Sequence, residues 1–217
     1  AWAPSLVSYN LSWEKIRTWN AGVDFGLFNN RLTGSFDYYI RKTDDMVGPS
    51  EKLPVVLGTA VPSSNNTNLK TFGWELELMW KDRLNNGLNY SARFTLADSR
   101  TKITRYSNPS GLIDGFYAGK YVGEIWGYVT DRFYTENDFN ADGTLKQGIP
   151  IPHGVGKVYP GDVLYKNFDD DPTEIYSGAG TADNPGDQRI IGNSTPRYHY
   201  GITAGVGWKG FELTVFL

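Results

Sequence analysis

The sequence predicts an all-β protein, a segment of an antiparallel up-and-down transmembrane β-barrel with about six long strands. Three observations carry this. Apolar and polar residues alternate over stretches of about a dozen positions, whereas strands of soluble domains run about 5–6 residues and a tilted membrane-spanning strand needs roughly 9–11. The connections between these stretches alternate between very short and long. No run approaches the roughly 18 consecutive apolar residues of a spanning helix, which leaves a barrel open because its strands are only half apolar.

Residues 1–12 read as an irregular lead-in. A first strand over about 13–28 carries Trp19, Ala21, Val23, Phe25 and Leu27 on one face, with Asn20 and Asp24 on the other, because side chains two apart share a face. Asn29-Asn30 turns the chain into a strand over 31–43, with Leu32, Gly34, Phe36, Tyr38 and Ile40 alternating with Thr33, Ser35, Asp37, Tyr39 and Arg41. A loop over 44–70 follows. The clearest hairpin is next: strand 71–83 carries Phe72, Trp74, Leu76, Leu78 and Trp80 opposite Gly73, Glu75, Glu77 and Met79. The turn Leu84-Asn85-Asn86-Gly87 suits a tight reversal, and strand 88–100 returns with Leu88, Tyr90, Ala92, Phe94 and Leu96 on one face. The connection over 101–195 is too long for an ordinary loop and is expected to carry a substructure. A last hairpin runs over 196–208 and 211–217 around Lys209-Gly210.

Twelve residues at about 3.3 Å each, tilted about 40°, cross about 30 Å, the thickness of a hydrocarbon core. Tyr38, Trp74, Trp80, Tyr90, Tyr198 and Trp208 near the strand ends suit aromatic girdles, and Asp24, Asp37, Arg41, Glu75, Glu77 and Arg93 suit a wet lumen. Six strands fall short of the eight of the smallest such barrels, so the 217 residues read as part of a larger one. A soluble sandwich or jelly roll with long strands is the alternative on pattern alone.

Composition narrows the classes. Net charge is -3, with no basic footprint for nucleic acid. The absence of cysteine excludes disulfides and thiolate metal sites. Mean hydropathy is -0.43, and aromatic content of 15% suits membrane interfaces or sugar-binding surfaces. Neither a basic n-region nor an apolar h-region opens the chain, which reads as mature or as a piece of something longer.

The blocks WNAGVDFGLFNNRLTGSFDYYIRKTDDM (19–46), NLKTFGWELELMWKD (68–82), GEIWGYVTDRFY (123–134), PGDVLYKNFDDD (160–171) and GDQRIIGNSTPRYHYGITAGVGWKGFELTVF (186–216) resemble the C-terminal part of the SusC/RagA-like TonB-linked outer-membrane receptors. The resemblance covers most of the chain, in the family's order. It implies a 22-stranded barrel in the outer membrane of a Gram-negative cell, importing glycans or peptides with a SusD-like surface lipoprotein as lid and energy from the TonB complex. The family's N-terminal plug, its TonB box and its terminal aromatic strand have no counterpart in these residues.

Candidate sites are few. Asn167, Asp169 and Asp171 have the 1-3-5 spacing of a calcium loop, although Pro172 stands where glycine is expected; a solvated acidic turn is the alternative, and no cofactor is otherwise implied. Asp138, Asn140, Asp142 and Gly143 make a second near match, but Ile149 at its twelfth position cannot supply a bidentate carboxylate. Glu75 and Glu77 lie roughly 6.5–7 Å apart at Cα on one strand, a glycosidase-like separation. Such pairs flank a sugar from opposite sides, however, so lumen-facing charges balancing Arg93 or Arg41 are the better reading. His153 and His199 stand in no HExxH or nucleophile-elbow context, and no enzyme is expected. Tyr117, Tyr121, Trp126, Tyr128 and Tyr134 in the long connection could stack on a glycan, or pack the loop or a lid protein. A soluble carbohydrate-binding β-domain is the competing function, and a β-rich glycosidase resting on the acidic pair is a third.

Overall fold

The computed structural model describes residues 11–48, 63–169 and 171–217. Two hairpins come first, β1 (Lys15–Leu27) with β2 (Leu32–Met46), then β3 (Thr67–Arg83) with β4 (Asn89–Arg105). Six short strands follow: β5 (Glu124–Tyr128), β6 (Thr130–Phe133), β7 (Ile151–Pro152), β8 (Val163–Tyr165), β9 (Glu174–Ile175) and β10 (Gln188–Asn193). The hairpin of β11 (His199–Trp208) and β12 (Phe211–Phe216) comes last. The chain divides into two compact units, one of residues up to Arg105 together with Thr195–Leu217, the other Tyr106–Ser194.

The first unit is a six-stranded antiparallel sheet in the order β1-β2-β3-β4-β11-β12. Pairing β11 directly with β4 keeps an up-and-down order despite the intervening unit. The hairpin turns use left-handed backbone where the sequence supplies polar residues and glycine. Lys209 and Gly210 both have positive φ, 47° and 86°, the requirement of a two-residue turn matched to strand twist. The first turn draws on Phe28 as well as Asn29 and Asn30, all with positive φ, so β1 ends one residue before the expected boundary.

The registers bring the alternating faces into line across all six strands. Val23, Phe36, Leu76, Leu96 and Tyr200 stand side by side in one row. Leu27, Leu32, Trp80, Ala92, Ala204 and Val215 form another on the same face. A one-residue slip at any strand would turn its apolar set to the other side, so the matched rows are the physical reason this register is chosen. Many of these side chains remain at the surface: Val23 is 56% exposed, Val206 46% and Leu213 67%. Phe72, Trp74, Leu76 and Leu78 share that face and are half-buried, not enclosed in a water-soluble core.

The strands reach further than the alternation indicates. β2 and β3 stay paired through Lys42 with Lys70 and Thr43 with Leu69, and a bulge precedes the pairing of Met46 with Thr67. β4 continues to Arg105. Backbone pairing continues where both faces have become polar, and a pattern search based on apolar residues stops at the edge of the apolar band. β11 begins later than expected, at His199. Pro196 has no N–H to give a ladder, and Tyr198 has φ 56°, so the chain bends before it pairs.

In the second unit β5 pairs with β10 and β6 with β8, both antiparallel, and β7 pairs with β9 in parallel. Its core is Tyr134, Val158 and Leu164, with Phe139, Leu145, Ile149 and Ile151 packed against it.

Candidate functional site

The polar face of the sheet is built from residues of the opposite parity. Asp37 and Glu75 stand directly opposite one another, and Ala97 and His199 continue that row. The next row holds Asp24, Ser35, Glu77, Thr95 and Gly201. A shallow cavity of about 280 Å³ lies here, lined by Ser35, Asp37, Glu75, Glu77, Thr95 and His199 among others. Arg93 donates to the Glu77 carboxylate at 2.6 Å, so of the two arginines considered for this role it is Arg93 that neutralises Glu77. Both glutamates project from one strand and cannot flank a substrate from opposite sides.

Glycines on the sheet make room for large neighbours. On the polar face, a Cβ at Gly73 would come within 2.8 Å of the Tyr39 ring and 2.9 Å of the Asp98 carbonyl. On the apolar face, the Phe25 ring covers Gly34 closely enough that a Cβ there would meet it at 2.5 Å.

The aromatic residues of the long connection do not form one platform. Tyr134 is 1% exposed and its hydroxyl donates to the Pro150 carbonyl at 2.6 Å. Its ring is core and leaves no face for a ligand, because the 133–165 segment folds around it. Tyr128 packs against Tyr165 with ring centroids 5.5 Å apart. Tyr117 and Tyr121 both reach Glu124: Tyr117 donates its hydroxyl to one carboxylate oxygen at 2.9 Å, and the Tyr121 backbone N–H donates to the other at 2.8 Å. Burial first, and then the Glu124 carboxylate, push the Tyr117 phenol up to about 12. Lys120 is buried, its amine 5.3 Å from the centroid of the Tyr117 ring and donating to the carbonyls of Ile113 and Gly115 at 2.7 and 2.8 Å, and burial pulls its amine down.

The acidic turns are occupied by their own loops. Asn167 Oδ1 accepts the Asp169 N–H, Asp169 Oδ1 accepts the Asp171 N–H, and Asp171 Oδ1 accepts both the N–H and the hydroxyl of Thr173. The Asn167 amide nitrogen is turned inward, onto the Asp171 and Glu174 carbonyls. Asp169 Oδ2 is buried without a hydrogen bond, as is Trp126 Nε1 among the described residues. These three side chains therefore form a chain of Asx turns, with one oxygen to spare and no ready-made cation cradle. Among the described residues no three His, Asp or Glu side chains converge at metal-ligand spacing.

The second near match is an ion-pair site. The Arg132 guanidinium forks onto Asp138 at 2.5 and 2.8 Å, and the Thr135 N–H adds a hydrogen bond at 2.7 Å. Arg132 above all, then Thr135, hold the Asp138 carboxyl far below the usual carboxylate range.

Sequence reasoning missed Asp187. It is fully buried, and its two carboxylate oxygens accept the backbone N–H groups of Phe168 and Tyr176 at 2.5 and 3.0 Å. It therefore ties two distant loops to the start of β10. The sequence marks it only as an aspartate after a glycine.

With this sheet and these faces in view, comparison with known proteins is decisive. Residues 3–215 match the family described as TonB dependent receptor-like, beta-barrel. The chain belongs to the TonB-dependent receptor β-barrel family. Among curated TonB-dependent receptors it is 31% identical over 201 residues to SusC of Bacteroides thetaiotaomicron, covering 76% of this chain and 19% of that one. Receptor P3 of Formosa agariphila is 27% identical over 220 residues, covering 95% of this chain and 20% of its own length. The RagAB peptide importer shares the fold in both its open-open and closed-closed states, with TM-scores of 0.63 and 0.59 at 23% identity over 95% of this chain. The chain thus spans about a fifth of the TonB-dependent receptors it matches. The six-stranded sheet corresponds to a stretch of receptor barrel wall.

Proposed function

We propose that this chain supplies part of the barrel wall and a surface loop unit to an outer-membrane importer of glycans or peptides. The observation that carries the reading is the sheet itself: one apolar and one polar face kept in register across six strands, in a chain matched nearly end to end by a receptor barrel family. The apolar face meets outer-membrane lipid, and the polar face, with Asp37, Glu75 and the Glu77–Arg93 pair, lines a wet lumen. The TonB complex drives transport through parts of the receptor outside these residues, and a SusD-like surface lipoprotein closes over the cargo. Tyr117, Tyr121, Trp126 and Tyr128 are the residues we assign to cargo contact, since their rings are only half-buried. The soluble-domain alternative lacks support, because it needs the apolar face covered and Val23, Val206 and Leu213 are exposed.

The test uses the full-length receptor in its own cells. Fractionation is expected to place it in the outer membrane, and its deletion to abolish uptake of either fluorescent oligosaccharides or fluorescent peptides. Uptake is also expected to stop when TonB is removed. A receptor in the soluble fraction, or uptake of both cargo classes unchanged by deletion, overturns the reading.

A further inference from the structure

The loop unit holds a second concave site, lined by none of the aromatic residues assigned to cargo contact. It is a pocket of about 260 Å³ with Phe139, Tyr159 and Pro160 in its wall and Glu136, Asn140 and Lys157 as its polar side chains. Both sides of it are fixed to one core ring. On one side Phe139 packs against Tyr134, with ring centroids 6.2 Å apart, and the helical turn Glu136–Asp138 before it is capped by Thr135. On the other side the Gly161 N–H donates to the Tyr134 carbonyl at 2.8 Å, the Tyr134 N–H donates to the Asp162 carbonyl at 2.9 Å, and Val158 is part of the core. A site whose walls are already ordered loses little freedom when a ligand enters.

Tyr159 is not core, unlike Tyr134. Its backbone N–H is held by the Asp162 carboxylate at 2.8 Å and the Lys157 ammonium stands 5.0 Å from its ring centroid, yet the residue remains 57% exposed. The polar side chains around it offer both kinds of hydrogen bond. Asn140 uses its amide nitrogen on Thr144 and Leu145, which leaves Oδ1 as an acceptor; the exposed Glu136 carboxylate accepts, and Lys157 donates. The neighbouring carboxylates are engaged elsewhere: Asp138 by Arg132, Asp142 by Thr144 and Asp162 by the Tyr159 N–H. An aromatic wall with a few placed polar groups is the make-up of a small-ligand site.

We propose that this pocket takes one pyranose ring of a neutral glycan, stacked on Tyr159 with its hydroxyls on Glu136, Asn140 and Lys157. This rests on the reading of the chain as part of an importer and names its cargo class. A sugar ring has an apolar C–H face and hydroxyls that both donate and accept, which suits a flat ring set beside two acceptors and one donor. An acidic sugar would bring its carboxylate against Glu136. An extended peptide is recognised along a strand edge, whereas this wall is made of turns and one helical turn. The volume lies below the roughly 300–1,000 Å³ of drug-sized sites, which limits the fit to a single ring of a longer chain.

The test titrates the full-length receptor, purified from the outer membrane in detergent, with the methyl glycosides of glucose, mannose and galactose. Methyl glucuronide and an alanine tripeptide are the controls, and affinity is read by saturation-transfer NMR. At least one neutral glycoside is expected to bind, and more tightly than either control. Tyr159→Ala is expected to weaken it by about threefold or more, from the usual worth of a ring contact, while Tyr159→Phe keeps the affinity because the ring remains. Glu136→Ala is expected to weaken it by a similar factor through the lost hydroxyl acceptor. Amide-exchange protection at Tyr134 is expected to be unchanged in all three variants, since both positions are exposed. Binding of none of the three glycosides, affinity equal to wild type in Tyr159→Ala or Glu136→Ala, or a control bound as tightly as the best neutral glycoside overturns the proposal. A membrane-embedded receptor that fails these comparisons sinks only the sugar site, whereas a receptor recovered from the soluble fraction sinks the importer reading with it.

Discussion

Asp98 and Arg197 lie 99 positions apart in sequence and meet in a two-pronged ion pair, the guanidinium Nε and Nη2 standing 2.5 and 2.6 Å from the two carboxylate oxygens. The pair sits where β11 begins to run beside β4. Arg197 also lies over the Tyr198 ring, 4.9 Å from its centroid. One charged contact thus fastens the chain as it re-enters the sheet after a long excursion.

Arg197→Lys keeps the charge but not the fork. It is expected to destabilise the start of β11 by about 1–3 kcal/mol, seen as faster amide hydrogen exchange at Tyr200 and Ile202 in the full-length receptor. Unchanged exchange would show that the pair does not hold the strand.

The face assignment is tested by neighbours on β3. Leu76→Arg places a charge on the lipid side and is expected to cost about 2–4 kcal/mol near the bilayer midplane. Glu77→Gln, one residue on, loses an ion pair between side chains 38% and 50% exposed, and is expected to cost under about 1 kcal/mol. Equal losses in folding titrations of the full-length receptor into lipid vesicles would reject the assignment.

Gly73→Ala asks the Tyr39 ring and the Asp98 carbonyl to give way. Backbone cannot move as a side-chain tip can, so a cost of about 1–3 kcal/mol is expected. Combining it with Tyr39→Ala should recover only part of that loss, because the contact with the carbonyl remains. Full recovery in the same vesicle titrations would show that the ring alone sets the requirement for glycine.

Asp138 makes the loop unit acid-sensitive. Its folded pKa is depressed by Arg132 and Thr135, so its contribution to stability is present above the ordinary carboxylate pKa of about 4 and is lost as pH falls through the depressed folded value. Amide exchange at Thr135 and Lys146, measured as protection relative to intrinsic rates, should weaken below about pH 4. Asp138→Asn should lower that protection at neutral pH and remove its pH dependence. A pH profile identical to wild type would assign the acid response to another group.

The alternation of Phe72 to Trp80 and of Tyr198 to Trp208 determined the strands and their two faces, since a two-residue period is local and can be read along one segment. The same local signal ended at the apolar band and so missed the extensions of β2 to Met46, of β3 back to Thr67 and of β4 on to Arg105. It found the aromatic residues of the long connection but could not tell the core ring of Tyr134 from the half-buried rings of Tyr117 and Trp126, because that depends on chain arriving from residues 150–164. Nor could it show that Asp138 is taken by Arg132, or that Asp187 ties Phe168 to Tyr176. Only the tertiary structure decided which side chains stand opposite which: Glu77 near Arg93 and Asp98 against Arg197. Cross-strand neighbours are set by backbone hydrogen bonding between segments far apart in the chain, and each segment taken alone carries no record of its partner.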